Sequence, residues 1–133
     1  MNIFWYIFFY DMWFYISHVS LHNPILYKTI HTHTTQYKKM TYISHFVESP
    51  IQCMGVIVSF FISPNTYTLF YALLFINFRG LLRNDHRFTW LVGNHHLLHH
   101  KYPYFNFGEY WLDTLFGTKY PNENEYVYGI IYT

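Results

Sequence analysis

The stretch from Ile51 to Leu82, "IQCMGVIVSFFISPNTYTLFYALLFINFRGLL", contains two apolar runs separated by the turn signal "SPN" at 63–65. Serine, proline and asparagine in succession favour a turn, and an apolar run on each side of it predicts a helical hairpin. We expect membrane segments at 51–63 and 67–82. Each arm is short for a full crossing, because a bilayer core needs about 20 apolar residues.

A third apolar segment begins the chain, from Ile3 to Ile16, and continues as far as the "SHVSLH" stretch. It lacks the basic start and the small-residue cleavage site of a signal peptide, so we interpret it as a retained membrane helix over residues 3–20. The three segments predict an all-α integral membrane protein with a helical hairpin and a histidine-rich helical cap. At this length we expect a single domain over residues 1–133.

Composition and charge support this interpretation. Hydrophobic residues make up 52% of the chain and charged residues only 11%, against about 25% charged in an average soluble protein. The net charge of +1 gives no indication of a nucleic-acid partner. The hairpin returns the chain to the side that it left, so all eight basic residues can share one face, which the positive-inside rule makes cytosolic together with every histidine. These basic residues are Lys28, Lys38, Lys39, Arg79, Arg83, Arg87, Lys101 and Lys119.

The first histidine group follows the N-terminal segment. His18 and His22 are four residues apart, which puts both rings on one face of a helix, one turn apart. Asp11 lies two turns earlier on nearly the same face. A carboxylate in a membrane helix is costly and is expected to have a function. We expect Asp11 to accept a hydrogen bond from a metal-bound histidine ring.

The densest histidine group is "HHLLHH" at residues 95–100. Spacings of three and four residues within it allow one short helix to present three or four imidazoles to one centre. So many rings would repel one another if protonated, so the pattern indicates neutral imidazoles around a transition metal. The ligands alone leave iron, zinc, copper and nickel open. Asp113, further along the chain, is expected to orient one of these rings.

With these histidine groups, the sequence resembles the fatty acid hydroxylase/sterol desaturase superfamily of membrane di-iron enzymes. The resemblance runs from "DMWFYISHVSLHNPILYKTIH", which starts at Asp11, through "HLLHH" at 96–100 and "NFG" at 106–108 to "YWLDTLFGT" at 110–118. The combination of these motifs is specific, whereas any one histidine box alone is weak.

The resemblance implies a set of metal ligands and no further catalytic residues. These are His18 and His22 in the first box, His31 in the second, His86 before the last box, and His95, His96, His99 and His100 in the last box. It also implies two iron ions, O2 as co-substrate, a lipid substrate that is hydroxylated or desaturated, and an external electron donor such as a cytochrome b5-type protein or a reductase. In a eukaryote it implies the endoplasmic reticulum.

The second box departs from the family pattern. It should have histidines at 34 and 35, but Thr34 and Thr35 stand there, and His33 lies one place early. Either His33 completes the site through a changed local geometry, or the site holds one iron weakly or not at all. A catalytically impaired relative is therefore the first alternative. The second, a metal-binding membrane protein without oxygenase activity, is disfavoured because the histidines gather beyond the membrane segments.

Length is a further departure, since family members commonly carry more membrane helices before the first box. We expect the chain to be shortened at its N-terminus, as a fragment, a minimal form or a protein that needs a partner chain.

Overall fold

The computed structural model describes residues 2–29 and 42–133, without the side chains of 28, 29 and 42–49. This part of the chain is helical and contains no strand, so the all-α prediction is confirmed. Its α-helices are α1 (Ile3–Leu21), α2 (Pro24–Thr29), α3 (Tyr42–Ile62), α4 (Thr66–Arg83), α5 (Thr89–Val92), α6 (His95–Lys101) and α7 (Tyr110–Leu115). Short 3-10 helices cover His86–Phe88 and Glu123–Glu125.

The three predicted apolar segments lie in α1, α3 and α4. The main difference is the start of α3, which begins at Tyr42, well before the predicted Ile51, and continues through Pro50. Proline lacks the N–H that a helix interior requires and therefore favours a helix end, but tertiary packing can outweigh such a local preference. Within the described ranges, no helix is both long enough and apolar enough to cross a membrane.

The chain divides into two compact units, residues 1–73 and residues 74–133, with the boundary inside α4. We call them the N-terminal unit and the C-terminal unit. The expectation of a single domain over the whole chain stays a prediction.

The N-terminal unit is built on an antiparallel pair, α1 and α3. The Tyr6 hydroxyl donates a hydrogen bond to the Ser63 carbonyl at 2.7 Å, and the Trp13 indole donates to the Ile51 carbonyl at 2.6 Å. Tyr6 is near the start of α1 and pairs with Ser63, which directly follows α3, whereas the later Trp13 pairs with the earlier Ile51, so the two helices run in opposite directions. The end of α1 that carries His18 therefore lies beside the beginning of α3. The hairpin prediction paired α3 with α4, but α3 packs mainly against α1.

The turn between α3 and α4 is where the sequence predicts it. α3 ends at Ile62 and α4 begins at Thr66. The side-chain oxygen of Asn65 accepts a hydrogen bond from the Thr68 amide at 2.9 Å. This contact satisfies one of the amides that a helix start leaves without a helical partner.

The C-terminal unit places α5, α6 and α7 against the last part of the chain. We call residues 119–133 the C-terminal segment. It runs back along the chain before α6: the Ile131 amide donates to the Leu91 carbonyl at 2.8 Å, and the Asn94 amide donates to the Val127 carbonyl at 3.1 Å. Buried Leu98, Phe107, Leu112 and Tyr126 form much of the core of this unit.

Candidate metal centre

The first histidine pair lies at the C-terminal end of α1. The rings of His18 and His22 have centroids 5.1 Å apart, as the four-residue spacing predicts. His18 is 1% exposed, and Asp11 and Tyr15 on the same helix are also buried. The ring of Phe14 meets His18 edge-on at 5.2 Å. The sequence thus builds a sheltered face at the end of α1 that presents two imidazoles.

The last histidine group lies on α6, where His96, His99 and His100 form a set of mutually contacting rings. The centroid distances are 4.8 Å between His96 and His100 and 6.0 Å from His99 to each of the other two. The Nε2 atoms of His96 and His100 are 3.2 Å apart. The His100 Nε2 also lies 3.2 Å from the side-chain oxygen of Asn84, so this nitrogen contacts an amide on the preceding chain as well as its neighbour on α6.

His99 is fully buried, and one of its nitrogens has a fixed role. Its Nδ1 lies 2.6 Å from the backbone carbonyl of Phe105. A carbonyl oxygen only accepts, so Nδ1 carries the proton and Nε2 keeps its lone pair. A hydrogen bond of this kind sets the tautomer and ring orientation of metal-binding histidines.

His95 begins α6 but has different neighbours. Its ring lies 5.5 Å from the ring of Tyr110 and 6.1 Å from those of Tyr126 and Tyr132. Its Nε2 is 2.8 Å from a carboxylate oxygen of Asp113. Its Nδ1 is buried and has no hydrogen-bond partner among the described groups. One nitrogen therefore holds this histidine in place within a compartment lined by aromatic rings.

Asp113 is the centre of a hydrogen-bonded knot. Besides His95, its carboxylate accepts from the Phe107 amide at 2.9 Å, the Gly108 amide at 2.9 Å and the Thr118 hydroxyl at 2.7 Å. We call this arrangement the Asp113 knot. It explains why asparagine, aromatic and glycine residues precede "WLD" and why "FGT" follows it: the carboxylate ties both sides of this stretch to the first residue of α6.

A buried ion cluster joins α4 to the chain just before α7. The carboxylate of Glu109 lies 2.6 Å from the Arg83 guanidinium and 3.4 Å from that of Arg79. All three side chains are less than a tenth exposed. The sequence reasoning missed this cluster, although two arginines four residues apart at the end of an apolar helix are a signal for a carboxylate partner.

The remaining predicted site residues are more dispersed. His86 is exposed at the start of a 3-10 helix. His31 and His33 of the second box, and Thr34 and Thr35 with them, lie outside the described residues. The ligand roles of all these histidines stay predictions.

Hydrogen bonds and burial shift the pKa values of several side chains in the C-terminal segment. Hydrogen bonds from Lys119 and Tyr128 lower the pKa of the Glu123 carboxyl. The hydrogen bond with Tyr102 is the main cause that raises the pKa of Tyr120 to about 12. Burial raises the pKa of Tyr126 and keeps its hydroxyl protonated. The tyrosines of this segment therefore remain neutral at physiological pH.

Residues 3–118 match the model of the fatty acid hydroxylase family. The chain belongs to the fatty acid hydroxylase family. This confirms the resemblance to the fatty acid hydroxylase/sterol desaturase superfamily. No curated protein and no solved structure matches the chain.

Fatty acid hydroxylases are known for iron held by histidine boxes and are typically associated with membranes. Membership of this family suggests an oxidoreductase that hydroxylates or desaturates lipids. The matched region contains both histidine groups and the Asp113 knot, and it ends where the C-terminal segment begins.

Proposed function

We propose that this fatty acid hydroxylase is an iron- and O2-dependent oxidoreductase that hydroxylates or desaturates a membrane lipid, either a fatty acyl chain or a sterol, in lipid biosynthesis. The observation that carries the proposal is the group of three contacting imidazoles on α6, in which the Phe105 carbonyl fixes the ring orientation of the buried His99 in the way that backbone carbonyls orient metal-binding histidines. This donor chemistry fits iron, because imidazole suits transition metals and none of the proposed ligands is a cysteine thiolate that could itself be oxidised.

The proposed ligands are the nine histidines that the sequence predicts. They are His18, His22, His31, His33 and His86, with His95, His96, His99 and His100 of α6. Two irons bound by these residues would activate O2 with electrons from the external donor, and O2 would thus serve as the oxidant for an aliphatic C–H bond, which no amino-acid side chain provides. The residues of the chain hold and orient: Asp113 fixes the ring of His95 through Nε2, and we propose that Asp11 orients the first pair.

Large apolar side chains support a membrane setting. Phe61, Tyr67 and Phe70 are between 62% and 81% exposed on α3 and α4. Exposed aromatic surface of this extent is unfavourable in water and favours contact with lipid. We propose an integral membrane protein with its histidines on the cytosolic face, in the endoplasmic reticulum of a eukaryotic cell. An external electron donor of the cytochrome b5 or reductase type reaches the site from that face.

A catalytically impaired relative is the second candidate, and Thr34 and Thr35 are the observation that favours it. A threonine hydroxyl is a poor substitute for an iron-binding imidazole. The two candidates differ in how much iron the chain holds. The double variant Thr34→His/Thr35→His restores the family pattern, and a large rise in its iron content relative to the natural chain would favour the impaired relative.

The deciding experiment is a metal count on protein purified without oxygen in the presence of ferrous iron. Two irons per chain support the oxidoreductase, and near-zero iron contradicts it. A lipid profile of cells with and without the protein then identifies the substrate: a lipid that gains a hydroxyl or a double bond only in the presence of the protein is the product.

A further inference from the structure

The C-terminal segment lies beyond the family match, which ends at residue 118, yet it is closely built into the region around α6. The backbone of the segment comes very close to the chain before α6 at Gly129, whose φ lies outside the left-handed region. A Cβ atom at this position would lie 2.5 Å from both the Leu91 carbonyl oxygen and the Gly93 amide nitrogen. The segment therefore approaches the chain before α6 so closely that only glycine fits.

Asn94, the N-cap residue of α6, is hydrogen-bonded to this segment. Its side-chain amide donates to the Glu125 carbonyl at 2.8 Å, and its side-chain oxygen accepts from the Val127 amide at 2.9 Å. Its backbone amide donates to the Val127 carbonyl at 3.1 Å. Three hydrogen bonds thus fix the point at which the histidine helix begins.

Asn106 makes a second connection from the other side. It is fully buried and adopts the left-handed conformation, with φ 58°, which asparagine tolerates better than most residues. Its side-chain amide donates to the His95 carbonyl at 3.1 Å. Its side-chain oxygen accepts from the Tyr120 amide at 2.8 Å and from the Tyr126 hydroxyl at 3.2 Å. One side chain therefore joins the first residue of α6 to two residues of the segment.

The length of α6 explains why such support is needed. The helix has seven residues, and isolated helices shorter than about 12 residues are marginal in water. The directions of its rings therefore depend on contacts outside the helix. Both asparagines and the C-terminal segment meet at its first turn, next to the histidines that the proposed function uses.

We propose that Asn94, Asn106 and the C-terminal segment are positioning elements for the histidines of α6: they fix the start of this helix and, with it, the directions of the imidazoles of His96, His99 and His100. The importance for iron rests on the proposed function. The effect on the helix itself does not, because it follows from contacts within the C-terminal unit alone.

Two tyrosines of the segment provide a matched test in the full chain. Tyr126→Phe removes a buried hydroxyl that lies 3.2 Å from the Asn106 side-chain oxygen and 2.9 Å from the Tyr120 carbonyl. Tyr128→Phe removes an exposed hydroxyl that bonds to Glu123. Asn106→Gly keeps the left-handed backbone accessible and removes all three side-chain hydrogen bonds. Amide hydrogen exchange of α6 is measured on the metal-free protein, with α4 as the internal reference. The Co²⁺ affinity and the visible absorption of bound Co²⁺ are measured afterwards.

We expect α6 to exchange like wild type in Tyr128→Phe, several-fold faster in Tyr126→Phe, and at least about tenfold faster in Asn106→Gly, with α4 unchanged. The Co²⁺ affinity falls in the same order, and the cobalt spectrum of Asn106→Gly changes in shape. Wild-type exchange of α6 in both Tyr126→Phe and Asn106→Gly overturns the proposal. If Asn106→Gly unfolds throughout, Tyr126→Phe decides alone: α6 exchange that rises relative to α4 supports the proposal, and an unchanged ratio overturns it.

A different result would contradict the proposed function. Wild-type protein that takes up no Co²⁺ and no iron contradicts the metal centre, while the exchange result still decides whether the segment positions α6.

Discussion

The ring of His95 and the carboxylate of Asp113 are joined in the interior of the C-terminal unit: Nε2 lies 2.8 Å from Oδ2, and neither side chain has any exposed surface. The other contacts of Asp113 are the two amides and the hydroxyl of the Asp113 knot. A carboxylate offers about four acceptor positions, so these donors occupy its capacity. Asp113 is therefore suited to orienting a histidine and poorly suited to binding a metal ion itself.

Asp113→Asn tests the knot. An asparagine keeps one acceptor oxygen but turns an NH2 group towards donors, so buried amides lose their partners. We expect the free energy of unfolding to fall by about 3 kcal/mol, measured by urea denaturation in a membrane-mimetic detergent. The matched control is Asp85→Asn, since the pair of Asp85 with the largely exposed Arg87 is on the surface and is expected to contribute little to stability. Equal losses in the two variants would contradict the role of the knot.

Two glycines inside helices should respond in opposite directions to alanine. At Gly55 a Cβ atom would lie 2.6 Å from the Trp13 Cβ and 2.8 Å from the Phe9 carbonyl oxygen, whereas at Gly80 nothing lies within 4 Å. Gly55→Ala should separate α1 from α3 and lower the free energy of unfolding by about 1–3 kcal/mol. Gly80→Ala should raise it by up to about 1 kcal/mol, because alanine favours the helix. A stabilised Gly55→Ala variant would show that the two helices are not in this close contact.

The stability of the C-terminal unit should depend on pH through the ionisation of the Glu123 carboxyl. Hydrogen bonds from Lys119 and Tyr128 lower the pKa of this carboxyl in the folded protein. Its contribution is therefore present above the unfolded pKa of about 4.3 and is lost as the pH falls through the lower, folded value. The difference in Tm between wild type and Glu123→Gln should be largest above about pH 5 and should shrink at lower pH. A difference that stays constant between neutral and acidic pH would show that the ionised carboxylate makes no such contribution.

His22→Ala and His99→Ala test the proposed ligands. We expect each variant to be expressed normally, to retain at most one iron per chain and to lose lipid turnover. The measurements are iron content after anaerobic loading and the amount of oxidised lipid. Tyr104→Phe is the control, because Tyr104 follows α6 in sequence and is 74% exposed. If either histidine variant kept the wild-type iron content and turnover, that residue would not be a ligand.

The sequence predicted those features that depend on local spacing. The His18–His22 pair, the turn at Asn65 and the helical character of all three apolar segments follow from periodicity and turn chemistry. The continuation of α3 through Pro50 did not follow, because it depends on tertiary packing.

The candidate site also combines features that local spacing predicts with features that only the tertiary fold determines. Spacing groups all four histidines of α6, whereas only the fold separates His95, which contacts tyrosines from the C-terminal segment, from the other three. The Glu109 cluster and the asparagine contacts were missed because they join residues more than ten positions apart. The spacing of the two arginines signals a carboxylate partner, but it does not identify Glu109.

The Asp113 knot also has a consequence for the order of refolding. Its hydrogen bond of longest span, between His95 and Asp113, covers 18 residues, whereas the hydrogen bond between Tyr6 and Ser63 spans 57 residues. Closing the longer loop costs about 1 kcal/mol more chain entropy. Short-range contacts form quickly, and contacts between distant residues form slowly. We therefore expect the knot to form earlier in refolding than the pairing of α1 with α3.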